Sequence, residues 1–534
     1  MSLPSSGLPS GLMRFWSERT SRLGPSPADT SEHQGVRWFA LAFTALTLHT
    51  IWLVVRLPAV YTHEDLEILG LAARDLAHGR LHQIDFPGQF YGSSLEAFPA
   101  APLVGLGMAP RLAIVVSLAA MFVVQWGALG WAVLRRVGPW HGVAVVLVPL
   151  IVATRYTASA LLWATAAPRF LATIAVAVAF SVGDRRWRWV LVVGLSSVAL
   201  LFDYSTALIV GPVLVWMFDQ DRAELPVRWI GASVVPAGIL FVGRALHHAA
   251  NPAYDLHPSP SSSFSANVIR WHVEHPTAAL RTYGPELLVD DRAQAIGAFL
   301  VVAAAVLVGV VRAERGGRAA AAVVMAGLVA FFASEGSIRA WTATSEIVSI
   351  GRGLMGLPVA VVVITAVSRV ARARINTPAA AMGVAVIATL SLVVRVGFDS
   401  VGDYEAALGQ DQALSVWQVD DLNVVCNAAD QQGIVGPYLA SASTLAYGCS
   451  SILDHPVLFP AYERRTWLLR AHWEDAPASW LVMTPPGGEC EQVPAPCRKV
   501  GAGVALIEAS GSGIRSAAVD ANLPVRPLPD DWPS

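Results

Sequence analysis

Six carboxylates and three histidines crowd the stretch Tyr61–Gly107: Glu64, Asp65, Glu67, Asp75, Asp85 and Glu96, with His63, His78 and His82. A carboxylate beside a reacting hydroxyl can take its proton as it attacks, which is general-base chemistry. The apolar positions Leu66, Leu69, Ala73, Leu76 and Ala77 recur at helical spacing and predict a short amphipathic helix over 64–77, lying on a membrane face. Asp65 falls in its first turn, where the positive end of the helix dipole favours an ionised carboxylate. An ordinary helix-start carboxylate reads the same way, so Asp65, Glu64 and Glu67 all stand as candidate bases. Residues 88–103 read GQFYGSSLEAFPAAPL, in which Gln89, Tyr91, Ser93, Ser94 and Glu96 offer donors and acceptors for a hydroxyl or a phosphate. A re-entrant helix capped by Ser93 or Ser94 accounts for the same residues.

The surroundings that must position this loop are apolar. Of 534 residues 54% are hydrophobic and 14% charged, and the mean hydropathy is +0.52. A soluble domain carries about 25% charged residues, so the composition is that of a polytopic α-helical membrane protein. The net charge of −2 excludes the basic field that nucleic-acid binding needs. Apolar segments fall at 36–58, 111–134, 140–155, 168–182, 187–202, 204–219, 227–247, 295–312, 318–334, 351–368 and 376–397. Arginines occupy every second connection: 135–136, 185–188, 222/228, 312–318 and 369–374. The positive-inside rule makes that side cytoplasmic. The loop at 59–110, the Asp203 turn, the loops at 248–294 and 335–350 and the C-terminal region then lie outside a cytoplasmic membrane. Eleven crossings satisfy this parity, with 94–110 lying in or dipping into the outer face. Residues 1–35, rich in Ser, Pro and Gly, lack the apolar core of a signal peptide and read as a disordered cytoplasmic tail.

Composition shifts near residue 398. Apolar runs shorten to strand length (GIVGPYLA, ASWLVMT, GVALIEA) between Pro, Gly and Asp, with a helix expected at Tyr462–Trp473. Residues 398–534 thus read as a small extracytoplasmic α/β domain after a helical membrane domain at 36–397. All four cysteines, Cys426, Cys449, Cys490 and Cys497, lie in it. An even number in an oxidising compartment fits two disulfides, Cys490–Cys497 by proximity and Cys426–Cys449 as the remaining pair. Four unpaired buried thiols are the other reading.

The first loop resembles that of the GT-C-type membrane glycosyltransferases, the broad protein mannosyltransferase-like and RgtA-like group. Bacterial members show an acidic residue after the first span, then Ala-Arg, then Gly, then a Gly-Gln-x-Tyr-x-Gly-x-Leu-Glu-like stretch. Here Asp65 takes the acidic position, Ala73–Arg74 the Ala-Arg pair and Gly79 the glycine, and Gly88, Gln89, Tyr91, Leu95 and Glu96 continue the match with Gly92 shifted by one residue. The usual pair is Asp-Glu, whereas Leu66 follows Asp65 and the flanking carboxylates are Glu64 and Glu67. The resemblance implies a GT-C-like fold and sugar transfer from a polyprenyl-phosphate donor to a lipid, glycan or protein acceptor at the outer membrane face. In that chemistry a carboxylate deprotonates the acceptor, which attacks the anomeric carbon, and the lipid phosphate leaves.

A phosphate leaving group needs a cation. Arg352 at the start of a late span is the first candidate, and it weakly resembles an Arg-Tyr-x-x-Pro-like feature of these enzymes, with Gly353 in place of the tyrosine. A snorkelling arginine is the alternative; Arg155, Arg169 and Arg339 are weaker candidates. Asp203, at an outer turn, could orient the acceptor, bind a divalent metal or simply cap a helix. No histidine spacing matches a zinc signature, and no cofactor follows from the motifs. A secondary transporter and a catalytically inactive GT-C-like protein are the other classes, although no paired repeats are evident.

Overall fold

The computed structural model describes residues 27–81, 85–86, 93–162, 166–250, 270, 280, 283–288, 290–312, 315–333, 354–368, 377–397, 416–431, 436–438, 443–453, 458–460, 480–483, 497–501 and 504–508. Each of the eleven apolar segments contains helix. They are α1 (Pro27–Arg56), α4 (Pro110–Arg136), α5 (Pro139–Ile151), α7 (Ala166–Ser181), α8 (Arg185–Phe202), α9 (Ala207–Asp221), the broken pair α10 (Val227–Ser233) and α11 (Val235–Ala250), α12 (Asp291–Arg312), α13 (Arg315–Ala333), α14 (Leu357–Val367) and α15 (Thr377–Gly397). Among the described residues five helical stretches are long and apolar enough to cross a membrane: Gln34–Arg56, Pro110–Arg136, Val227–His247, Arg292–Val311 and Arg315–Phe332. The protein is a multi-pass helical membrane protein. Helix α1 begins at Pro27, so residues 27–35 form its first turns where the sequence suggested tail.

Local rules explain the helix ends. Pro110 and Pro139 open α4 and α5, where a missing N–H costs nothing. Arg135 and Arg136 close α4 and complement its negative end. Small residues allow close packing, as with Ala172, Ala175 and Ala179 on α7, all buried in the main core.

Contacts among the described residues distinguish two ends of the bundle, and the first two arginine-bearing connections meet at one of them. At one end the Arg136 guanidinium lies 5.6 Å from the Trp216 ring centroid. Arg188 Nη2 pairs with Asp221 Oδ2 at 2.6 Å and Arg185 Nε with Asp221 Oδ1 at 3.3 Å. The other end carries the first loop. There β1 (Tyr61–His63) leads into α2 (Glu64–Ala77), followed by the nine-residue α3 (Ala97–Gly105), too short to cross a bilayer. Short helix α6 (Thr154–Leu162) belongs to this end too, because Ala153 N donates to Gly284 O and Glu286 N to Ile151 O, both at 2.8 Å.

The C-terminal region returns to the first loop. Strand β2 (Val416–Gln418) pairs antiparallel with β1, Thr62 facing Trp417. Helices α16 (Val419–Gln431) and α17 (Ser443–Leu453) follow, and the Cys426–Cys449 disulfide joins them. Cys490 lies outside the described residues, as does the helix expected at 462–473. Strands β3 (Gly436–Tyr438) and β4 (Leu458–Pro460) pair in parallel, while β5 (Trp480–Met483), β7 (Val504–Glu508) and β6 (Cys497–Gly501) form an antiparallel sheet in that order. Strands therefore fall inside all three apolar runs read from the sequence. Leu422, Val425, Leu445 and Tyr447 share one core with Leu66 and Leu69 of α2 and Ile114 of α4. Each fully buried Leu or Val side chain there contributes about 1.5–3 kcal/mol.

Candidate active site

Helix α2 runs over the predicted residues, but its surroundings differ from the expectation. A helix lying on a membrane would bury one stripe; here Leu66, Glu67, Ile68, Leu69, Gly70, Leu71, Ala73, Arg74 and Asp75 are all buried. The cause is α17, which covers the face expected to meet water. Arg74 Nη1 donates to Ser450 O at 2.7 Å. A Cβ on Gly70 would stand 3.3 Å from Arg111 N and 3.5 Å from Ser451 Oγ, so glycine sets the approach of α2 to α4 and α17. At its far end Gly79, with φ +76°, turns the chain in a region that other residues avoid.

The start of α2 separates the three candidate bases. His63, in extended conformation, caps the helix by accepting the Asp65 N–H on Nδ1 at 3.1 Å. Glu64 and Asp65 are half-buried and reach the surface at the helix's positive end. Glu67 is 0% exposed. Thr62 Oγ1 donates to Glu67 Oε1 at 2.5 Å, and Arg111 Nε stands 3.9 Å away. Burial pushes the Glu67 carboxyl above the ordinary range, with Arg111 and the Thr62 and Ser451 hydroxyls pulling it partly back. Glu67 therefore holds β1, α4 and α17 against α2, and the accessible carboxylates are Asp65 and Glu64.

Glu96 is likewise sealed at 0% exposure. Its Oε1 accepts the Ala167 N–H at the start of α7 at 2.9 Å, and its Oε2 accepts Ser93 Oγ at 3.1 Å. It is an anion on a helix N-terminus, supplied by the chain itself. Asp85 is buried and paired with Arg244 Nε at 2.8 Å. Asp203 accepts the Ser205 N–H on Oδ1 at 2.9 Å and so caps the 3-10 turn at Tyr204–Thr206, which is the capping reading of this residue. Gln89, Tyr91 and Arg352 lie outside the described residues, as do Arg339 and the histidine at position 82.

One group of buried polar residues escaped the sequence reading, and a second surrounds a weaker candidate from it. Arg395, 0% exposed in α15, donates to His49 Nε2 of α1 and to Val152 O at 2.8 Å, and stands 3.5 Å from Glu286 Oε2. Glu286 also accepts the Thr154 N–H. This cluster ties α1, α5, α6, α15 and the 283–288 loop together. The signal was a lone arginine in an apolar segment, which by itself marks a residue needing a partner. The second group is Arg169, buried near Tyr156 and Tyr283, whose rings meet edge-on at 6.1 Å. Burial pushes both phenols up, and the Arg169 guanidinium opposes it. Among the described residues no three His, Cys, Asp or Glu side chains converge as a metal site.

The multi-span bundle with its first loop at one face has the fold of a solved membrane protein. The similarity is to ArnT from Cupriavidus metallidurans bound to undecaprenyl phosphate, with a TM-score of 0.56 and 14% identity over 88% of this chain and 97% of that one. ArnT in the apo state covers the same shares at 14% identity, with a TM-score of 0.46. By sequence, no family model and no curated protein matches.

Proposed function

We propose that the chain is a membrane glycosyltransferase that moves a sugar from a polyprenyl-phosphate donor to an acceptor at the face carrying the first loop. The arginine alternation makes that the extracytoplasmic face of the cytoplasmic membrane. The observation that carries the reading is the start of α2. Asp65, with Glu64 beside it, is accessible, fixed by the His63 cap and favoured as an anion by the helix dipole. The ArnT-like fold, in a relative bound to undecaprenyl phosphate, supports the donor class.

The reaction follows from those parts. The acceptor O–H gives its proton to the Asp65 carboxylate while its oxygen attacks the anomeric carbon. The bond from that carbon to the phosphate oxygen breaks, and the phosphate departs with the electron pair. A guanidinium near the leaving oxygens offsets the developing charge. Arg352 takes that role on the sequence reading; Arg169, buried at the first-loop end of α7, is the described alternative. Glu67 and Glu96 act as positioning residues, since both are sealed into the framework that holds α2 and α7.

The test uses the full chain reconstituted in nanodiscs with undecaprenyl-phosphate-linked sugars and a panel of hydroxylated acceptors. Asp65→Asn and Glu64→Gln are compared with the wild type. Transfer that survives both changes removes the base and with it this reading.

A further inference from the structure

The N-cap of α2 is a histidine, where Ser, Thr, Asp or Asn is the ordinary choice. Those side chains offer an oxygen that accepts equally well at pH 5 and at pH 8. A histidine accepts only through a ring nitrogen that carries no proton. Here the acceptor is Nδ1, 3.1 Å from the Asp65 nitrogen. The bond therefore needs a neutral imidazole, with its proton on Nε2.

The setting ties the ring to that bond. His63 is 3% exposed, its backbone is extended at φ −144° and ψ 170°, and Val416 of β2 stands opposite it. Strand pairing fixes the backbone that carries the ring, and enclosure limits where the ring can turn. Glu64, Asp65 and Glu67 follow it on α2. Arg111 reaches in from α4, bonding Pro58 O at 2.8 Å, and α1 ends in Arg56, which lies over the Trp52 ring. Beyond the bond from Val419 N to Val60 O, α16 opens with Asp420 and Asp421; β2 and α17 carry no charged side chain. The carboxylates attract an imidazolium, whereas the arginines and the positive end of the helix dipole repel it. Whatever their balance, a proton on Nδ1 turns the acceptor into a donor aimed at a backbone donor. The first turn of α2 then loses its cap, and Asp65, the second residue of the helix, moves with that turn.

We propose that His63 is a titratable positioning residue: neutral, it holds Asp65 where the carboxylate can take the acceptor's proton, and protonated, it releases the first turn of α2. The proposal rests on the glycosyltransferase reading for the role of Asp65, but its structural arm does not. Histidine changes charge between about pH 5 and pH 8, a range in which an ordinary carboxylate stays ionised.

Full-length protein in nanodiscs is followed from pH 8 to pH 5 by two measurements. Hydrogen exchange of peptides spanning Tyr61–Gly70, corrected for the intrinsic exchange rate, reads the cap. Transfer from undecaprenyl-phosphate-linked sugars reads kcat and KM. His63→Asn offers an oxygen to the same N–H at every pH, whereas His63→Leu fills the space without an acceptor. In the wild type, first-turn protection and kcat are expected to fall together about tenfold towards pH 5, the equivalent of about 1.4 kcal/mol, with KM unchanged. His63→Leu is expected to sit at that acid level throughout, and His63→Asn to restore both readouts and flatten their pH dependence.

Parallel pH profiles for the wild type and His63→Asn would overturn the proposal, as would full transfer by His63→Leu at pH 8. Should His63→Leu fail to fold, the comparison with His63→Asn decides alone. Protection that follows His63 while transfer ignores Asp65→Asn would overturn the base reading and the positioning role with it, leaving a titratable cap and no more.

Discussion

Two clusters at the same end of the bundle use charge in opposite ways. At the start of α2, Asp65 and Glu64 are half-buried, and His63 Nδ1 caps the backbone by accepting the Asp65 N–H. Where α1, α5 and α15 meet, Arg395 and Glu286 are almost wholly enclosed and bonded to main-chain groups of α5 and α6. The first arrangement leaves an anion reachable and its base rigid. The second leaves nothing reachable and gains helix registration. Accessibility combined with backbone support separates groups that can do chemistry from groups that hold the frame, and Glu67, three residues from Glu64, falls with the frame.

That contrast can be broken by substitution. Asp65→Asn should lower sugar transfer by about 10²–10⁴-fold, the usual weight of a general base, with an unchanged melting curve; a matching loss of stability would make Asp65 part of the frame. Arg395→Met should do the reverse, costing about 3–5 kcal/mol of stability because Glu286 and its neighbours keep a buried charge without its partner. Combining it with Glu286→Gln, which keeps an acceptor for Thr154, should recover most of the loss in a denaturant series.

Smaller effects sharpen the same line. Replacing Cys426 and Cys449 by serine should cost about 2–4 kcal/mol, read as faster hydrogen exchange in α16, α17 and the α2 face they cover. Asp203→Ala should cost about 0.5–2 kcal/mol as a lost cap and leave transfer intact; a large drop in transfer would return Asp203 to the site. Glu67 makes the subtlest case. Its folded carboxyl titrates above the ordinary value, so the folded chain holds that proton more tightly than the unfolded one. The stabilisation is complete below the unfolded pKa of about 4.3 and is lost as pH rises through the folded pKa. Melting curves across pH should therefore show Glu67→Gln gaining on the wild type as pH increases.

Much of this was legible in one dimension because its causes are local. Helical spacing located α2, arginine alternation sorted the two ends, and strand-length runs marked β3, β5 and β7. The Cys426–Cys449 pair followed from counting. What stayed hidden depends on contacts far apart in the chain. Glu96 reads as a ligand-facing carboxylate until Ala167 arrives beneath it, and Glu67 reads as a base until Arg111 and Ser451 enclose it. Arg395 and His49 meet across most of the membrane domain. Strand β1 is three residues long, too short for any periodicity to announce it.

The pairing of β1 with β2 imposes an order on biosynthesis. A ribosome finishes residues 61–63 long before it reaches 416–418, and the bundle inserts in between. The acidic helix therefore waits, with its neighbours Thr62 and His63 lacking their opposite strand, until the last stretch has crossed to the same face. A nascent chain stalled before residue 416 would carry the complete first loop and still lack its seat. The seat of that loop is thus complete only once residues 416–418 have been made.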